Sequence, residues 1–177
     1  SALATRKILG VIYVVSQSIT TSVTPEDLEL FQALANNATT AILNAKLYRQ
    51  ATTDDLTGVL TRRHFEQRLE DEIGLARRAE SPLSMLMLDI DDLQAINRSD
   101  GYQVGDRILR ELGRLLQEQV RRLDAVARYG GDEFAVILPQ TDVPGAEEVA
   151  RKIQHAAAAR DFDTGEDNEV TISIGVA

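Results

Sequence analysis

The stretch Ala127-Arg128-Tyr129-Gly130-Gly131-Asp132-Glu133-Phe134-Ala135-Val136-Ile137-Leu138-Pro139 constrains the chain most, because it reads as two strands reversed by a tight turn with acids at its tip. Val126, Tyr129, Phe134, Val136 and Ile137 favour the pleated, half-buried surface of a hairpin. Gly130-Gly131 is expected to supply the positive φ of a tight reversal. Glycine also lets a bulky anion such as a triphosphate approach the backbone, and Asp132 and Glu133 offer the hard oxygen ligands that Mg²⁺ takes. By themselves these residues also fit a plain solvated turn, so their meaning depends on the rest of the chain.

That chain has 177 residues, room for one packed domain plus a helical appendage. With 5% aromatic residues and no Trp it lacks the stacking surface of a single-strand nucleic-acid binder, and a formal net charge of -9 would repel DNA or RNA. Any nucleotide would therefore be held locally, by metal and a few arginines. The absence of cysteine rules out disulfides and thiolate metal sites and fits a reducing cytoplasm. No apolar run of about 18 residues is present and the N-terminus lacks a basic-then-apolar signal pattern, so no membrane segment is expected.

Taken in order, Ile8 to Val15 is a short β-branched run that predicts a buried strand whose partner lies elsewhere. Thr24-Pro25-Glu26-Asp27 opens a helix, with Thr24 as cap, Pro25 in the first position and two acids at the positive end of the dipole. Leu28, Phe31, Ala35, Ala38, Ile42 and Ala45 then recur at steps of three and four, with no Gly or Pro before Gly58. A helix from Pro25 to Thr52 would be roughly 40 Å long. Its heptad seam suits a parallel two-helix stalk, or a helix packed on its own domain. Further on, Arg62 to Ala76 has a helical apolar face, and Leu83 to Ile90 is a continuous apolar run ending in Asp89-Ile90-Asp91-Asp92, a buried strand with acids at its tip. Helices over Asp91 to Asn97 and Gly105 to Gln119 flank a loop at Arg98 to Gly101. The hairpin, a helix from Pro144 to Ala159, a polar linker Asp161 to Asn168 and a strand Val170 to Val176 complete the pattern. The fold expected is α+β, a ferredoxin-like or palm-type sheet in the order β-α-α-β-β-α-β preceded by a long N-terminal helix.

Tyr129 to Phe134 resembles the signature of the GGDEF family, the diguanylate cyclases, with all five signature letters intact. Asp54-Asp55-Leu56-Thr57-Gly58, Leu88-Asp89-Ile90-Asp91 to Asn97, and Gly101 to Gly105-Asp106 match at family-like spacing, so the resemblance covers about residues 50 to 177. It implies condensation of two GTP into cyclic di-GMP with release of pyrophosphate, by a homodimer whose subunits each hold one GTP. By the same resemblance, Asp89, Asp132 and the Ile90 carbonyl bind Mg²⁺ (or Mn²⁺), and Glu133 assists the metal or the attacking hydroxyl. Asn97 and Asp106 read guanine, a carboxylate accepting from N1–H and the exocyclic amine and an amide donating to the acceptors. Gly130 and Gly131 line the phosphates. Arg121-Arg122-Leu123-Asp124 matches the family's RxxD product-inhibition site, with Arg121 and Asp124 as its binding pair and Arg151 as a candidate second arginine.

Upstream, Gly10 to Val14 and Thr24 to Tyr48 resemble the end of a GAF sensor domain, which divides the chain into a remnant strand (1–24), a signalling and dimerisation helix (25–53) and a GGDEF domain (54–177). Some positions depart from the family pattern. Leu93 and Gln94 stand where Phe-Lys is frequent, Arg98 where Asp is usual, and Tyr102 where His is frequent. The family's following helix and last strand are expected beyond Ala177. These departures support an alternative, a module that binds cyclic di-GMP or GTP without turnover.

Overall fold

A computed structural model describes residues 10–13, 24–163 and 170–177. It divides the chain into two compact units, Ser1–Arg49 and Gln50–Ala177. Half of the strand expected over Ile8 to Val15 lies outside the described residues; the part within, Gly10 to Tyr13, forms no strand. Residues 164–168 of the expected polar linker are likewise outside them.

Helix α1 (Pro25–Thr52) runs uninterrupted as its sequence predicts. Its start is a reciprocal cap: the Asp27 N–H donates to Thr24 Oγ1 at 3.2 Å, and the Thr24 N–H donates to Asp27 Oδ2 at 2.9 Å. Leu28 and Ile42 of the expected seam are 62% and 51% exposed.

The second unit is a five-stranded sheet with helices on both faces. Its elements are β1 (Leu60–Thr61), α2 (Arg62–Ala79), β2 (Leu83–Ile90), α3 (Leu93–Asp100), α4 (Tyr102–Gln119), β3 (Ala125–Arg128), β4 (Glu133–Pro139), α5 (Val143–Ala158) and β5 (Ile172–Val176). The sheet order is β1-β3-β4-β2-β5. From β2 onward this is the ferredoxin-like pattern, to which the short β1 adds an edge strand parallel to β3. Strand β2 is interior, antiparallel to both of its neighbours, β4 and β5. Its alternation buries Leu86, Leu88 and Ile90 on the face that also receives Ile108, Leu112, Leu115 and Leu116 of α4 and Ala150 and Ile153 of α5. Met85 and Met87 face the other way, toward the smaller cluster around Phe65 and Leu69 of α2.

Two local expectations are corrected. The loop expected at Arg98 to Gly101 is a single residue, Gly101, at φ 87°: Arg98 to Asp100 form the last turn of α3 and Tyr102 to Val104 the first of α4. Glycine alone takes that angle cheaply, so the whole reversal collapses onto it. In the hairpin, neither Gly130 nor Gly131 lies in the left-handed region. Arg128 pairs with Phe134, so the connection is five residues long and turns without the two left-handed residues that a two-residue loop demands.

Candidate active site

The tip of β2 and the hairpin meet as the register requires. Asp89 is paired with Glu133 on one side and with Ser173 on the other, so three polar side chains form a row across β4, β2 and β5. The Ile90 N–H donates to the Asp132 carbonyl at 3.3 Å, which fixes Asp132 beside the end of β2. The row borders a cavity of about 350 Å³ lined by Met87, Asp89, Glu133, Ser173 and Gly175.

The electrostatics of the row are those of crowded like charges. Partial desolvation, and then the charges of Asp132, Glu133 and Asp91, raise the Asp89 carboxyl above the usual carboxylate range. Asp91 itself is tied down, accepting from the Thr171 and Ser173 hydroxyls at 2.7 Å each, which locks β5 to the end of β2. Among the described residues no three acidic or imidazole side chains converge to enclose a metal by themselves. Glu133 folds back over Gly130, where a Cβ would run into the Glu133 carboxylate. Behind the hairpin, Tyr129 is braced by α2: Arg62 lies 4.3 Å over its ring, Phe65 meets it edge-on at 6.0 Å, and its hydroxyl donates to Glu66 at 3.3 Å.

Asn97 and Asp106 are brought together at the α3–α4 joint, one turn on either side of Gly101. The Asn97 carboxamide packs so closely on Gly105 that a Cβ there would overlap its Oδ1 and sit 2.9 Å from Cγ. Asn97 Oδ1 is buried with no hydrogen-bond partner among the described residues. Such an orphan is uncommon in a folded chain. Asp106 is half-exposed, 3.8 Å from Arg110 one turn along.

Arg121 and Asp124 lie together beyond α4. The Asp124 carboxylate accepts from the Arg121 N–H at 2.7 Å, and both residues line a cavity of about 330 Å³ with His64, Arg68 and Arg122. Arg151 is not in that lining; it sits on α5, 3.8 Å from Glu147, while the neighbouring Lys152 reaches the Gln119 carbonyl at 2.9 Å.

Sequence reasoning named no role for Arg128, Asp54, Asp91, Thr171 or Ser173. The signal for Arg128 was a cation at the end of an otherwise apolar strand, directly before the turn, with Asp54 in an acidic turn motif upstream.

Among the described residues no helix is long and apolar enough to cross a membrane. Residues 51–177 match the family model described as diguanylate cyclase, GGDEF domain. Response regulator PleD of Caulobacter vibrioides is 38% identical over 130 residues, 72% of this chain and 29% of that protein. Diguanylate cyclase A of Treponema denticola is 34% identical over 153 residues, 84% of this chain and 41% of that protein. The chain thus spans well under half the length of these relatives. Among solved structures, the coiled coil and GGDEF domain of DgcB from Caulobacter crescentus, in complex with c-di-GMP, superposes with a TM-score of 0.77 at 25% identity, covering 86% of this chain and 82% of that one. A sensory box/GGDEF family protein from Caulobacter crescentus superposes at 0.65 with 34% identity, covering 72% and 83%. With its sheet order, its acidic row and a family match over residues 51–177, the chain belongs to the GGDEF family of diguanylate cyclase domains.

Proposed function

We propose that residues 54–177 form the catalytic half-site of a diguanylate cyclase, in which the 3′-hydroxyl of one GTP attacks the α-phosphate of a second GTP held by a facing subunit. Each attack forms one P–O bond and breaks the bond to the β-phosphate, so two attacks yield cyclic di-GMP and two pyrophosphates. The observation that carries this reading is the row in which Asp89 pairs with Glu133 while Asp132 is held at the end of β2; partial desolvation, and then Asp132 and Glu133, disfavour the Asp89 anion, which a bound cation would relieve. Two carboxylates with room for phosphates and water are the donor set that Mg²⁺ prefers. Asp89, Asp132 and the Ile90 carbonyl would hold Mg²⁺ (or Mn²⁺), which when bound would offset the charge developing on the transferring phosphoryl. Glu133 would assist the metal or the attacking hydroxyl; Gly131 leaves the backbone open to phosphate, and Gly130 would do so once the Glu133 carboxylate turns from it to the metal. Asn97 and Asp106 hold guanine through its Watson–Crick edge, the buried Asn97 Oδ1 gaining a partner on binding.

Face-to-face half-sites require a homodimer, and the exposed apolar residues of α1 supply a seam for it. Product would bind at Arg121 and Asp124, which share a cavity; Arg151 is the weaker partner there. The use of GTP fits the cytoplasm. The GAF-like reading of residues 1–24 rests on sequence pattern alone, since the family match begins at residue 51. The test is incubation with GTP and Mg²⁺ followed by nucleotide separation. Cyclic di-GMP from the wild type and none from Asp132→Ala supports catalysis. Tight cyclic di-GMP binding with GTP unchanged would instead favour a receptor, the reading to which Gln94 and Tyr102 point.

A further inference from the structure

Arg128 ends β3 immediately before the turn, and its side chain crosses that turn. Its Nε and Nη2 donate to the Gly131 carbonyl at 3.1 and 2.7 Å, and its Nη1 lies 3.5 Å from Asp54 Oδ1. Gly131 directly precedes Asp132 and Glu133. The other described backbone hydrogen bonds of the loop run from the Tyr129 and Gly130 N–H groups to the Glu133 carbonyl, at its base, and from the Ile90 N–H to the Asp132 carbonyl, which leaves the Gly131 carbonyl to Arg128. Arg128 therefore holds the Gly131 end of the tip, with two N–H groups converging on one carbonyl oxygen. A lysine, a point donor without a planar fork, cannot reproduce that grip and reach Asp54 as well.

Asp54 is equally fixed. Its Oδ1 accepts from the Thr57 N–H at 2.9 Å and the Thr57 hydroxyl at 2.7 Å, its own N–H donates to the Val59 carbonyl, and its carbonyl accepts from Gly58. Burial works against the Asp54 anion, yet Thr57 and then Arg128 hold its carboxyl below the usual range. The pair is only 20% and 26% exposed, so solvent screens it less than a surface pair. The adjoining strand pairs Thr61 with Arg128 itself, so turn and clamp share one attachment.

We infer that Arg128, anchored by Asp54, is a positioning residue that sets the direction in which the turn presents Asp132 and Glu133. The structural half of the inference stands on geometry alone; the kinetic half rests on the cyclase reading.

Arg128→Lys and the milder Asp54→Asn test it in the full chain. Hydrogen exchange at Tyr129 to Asp132 should accelerate about tenfold in both, with α5 unchanged. Turnover should fall by about tenfold to a hundredfold while KM for GTP stays within about threefold, since the clamp touches no base or phosphate. The double variant should be no worse than the worse single one, because both break one link. Unchanged exchange at the tip in both variants overturns the clamp. Accelerated exchange with full turnover overturns the positioning role. A wild type that makes no cyclic product sinks the cyclase reading, and exchange alone then decides the clamp.

Discussion

In the proposed guanine site, the side chain missing at Gly105 is what leaves room for Asn97. A methyl at residue 105 would overlap the Asn97 carboxamide, which can swing away at little cost to the fold because Ala is the better helix former. Gly105→Ala should therefore keep its melting temperature within a few degrees yet weaken GTP binding at least about tenfold, as measured by calorimetry. Wild-type affinity in this variant would show that Asn97 does not read the base. Asp89 yields a second residue-level prediction, with its sign set by linkage. Its folded carboxyl is raised above the ordinary 3.8, so the folded chain keeps the proton longer than the unfolded one. Stability is then lost as pH climbs through and above 3.8, and the loss is complete above the raised value. In chelator at pH 7, Asp89→Asn should melt about 2 °C higher than wild type, a gain that shrinks as pH falls toward 3.8. The same variant should lose nearly all turnover, a stability gain at the expense of function. Equal melting temperatures at pH 7 would mean that the neighbouring carboxylates are not felt.

At the scale of elements, α4 is shaped to receive the turn after α1. A Cβ on Gly113 would lie 2.9 Å from the Thr57 carbonyl oxygen and 3.1 Å from Thr57 Cβ, and backbone cannot step aside as a side-chain end can. Gly113→Ala should thus destabilise by about 1–3 kcal/mol despite the better helix propensity, and a chemical melt measures it. A neutral or stabilising result would show that the turn relaxes freely. Much of this architecture was legible: β2 ran from Leu83 to Ile90 as read, because a long apolar run with acids at its end has few other uses. The hairpin, the order of elements and the pairing of Asp89 with the turn followed from the same kind of pattern. What was not legible depends on partners far along the chain. Strand β1 has two residues and is defined by β3 beside it and a single bridge from Leu60 to Thr53. The brace from Asp91 to Thr171 and Ser173 joins residues 80 and 82 positions apart, and no local pattern announces it. The left-handed glycines expected at 130 and 131 failed because loop length, and not glycine content, selects the turn.

For the whole molecule, the proposed dimer seam on α1 would make activity depend on how two copies meet. Two half-sites that must face each other react at a rate set by how often they meet, and a two-helix tether raises that effective concentration toward the millimolar range. Phe31, Ala35 and Ala38 are half-buried, whereas Leu28 and Ile42 are exposed apolar side chains on a helix with no intervening Gly or Pro, which is the surface a second copy would cover. Ile42→Asp would place a carboxylate in that seam, where it must lose water without gaining a partner. Dimerisation should weaken by at least about tenfold in ultracentrifugation, and turnover per subunit should fall at low protein concentration. Because the nucleotide ligands are untouched, GTP affinity of the monomer should stay at the wild-type value. Raising the protein concentration should restore turnover by mass action, which separates a broken tether from a damaged site. A variant that stays fully dimeric, or one whose lost turnover no concentration recovers, would show that α1 does not bring the half-sites together.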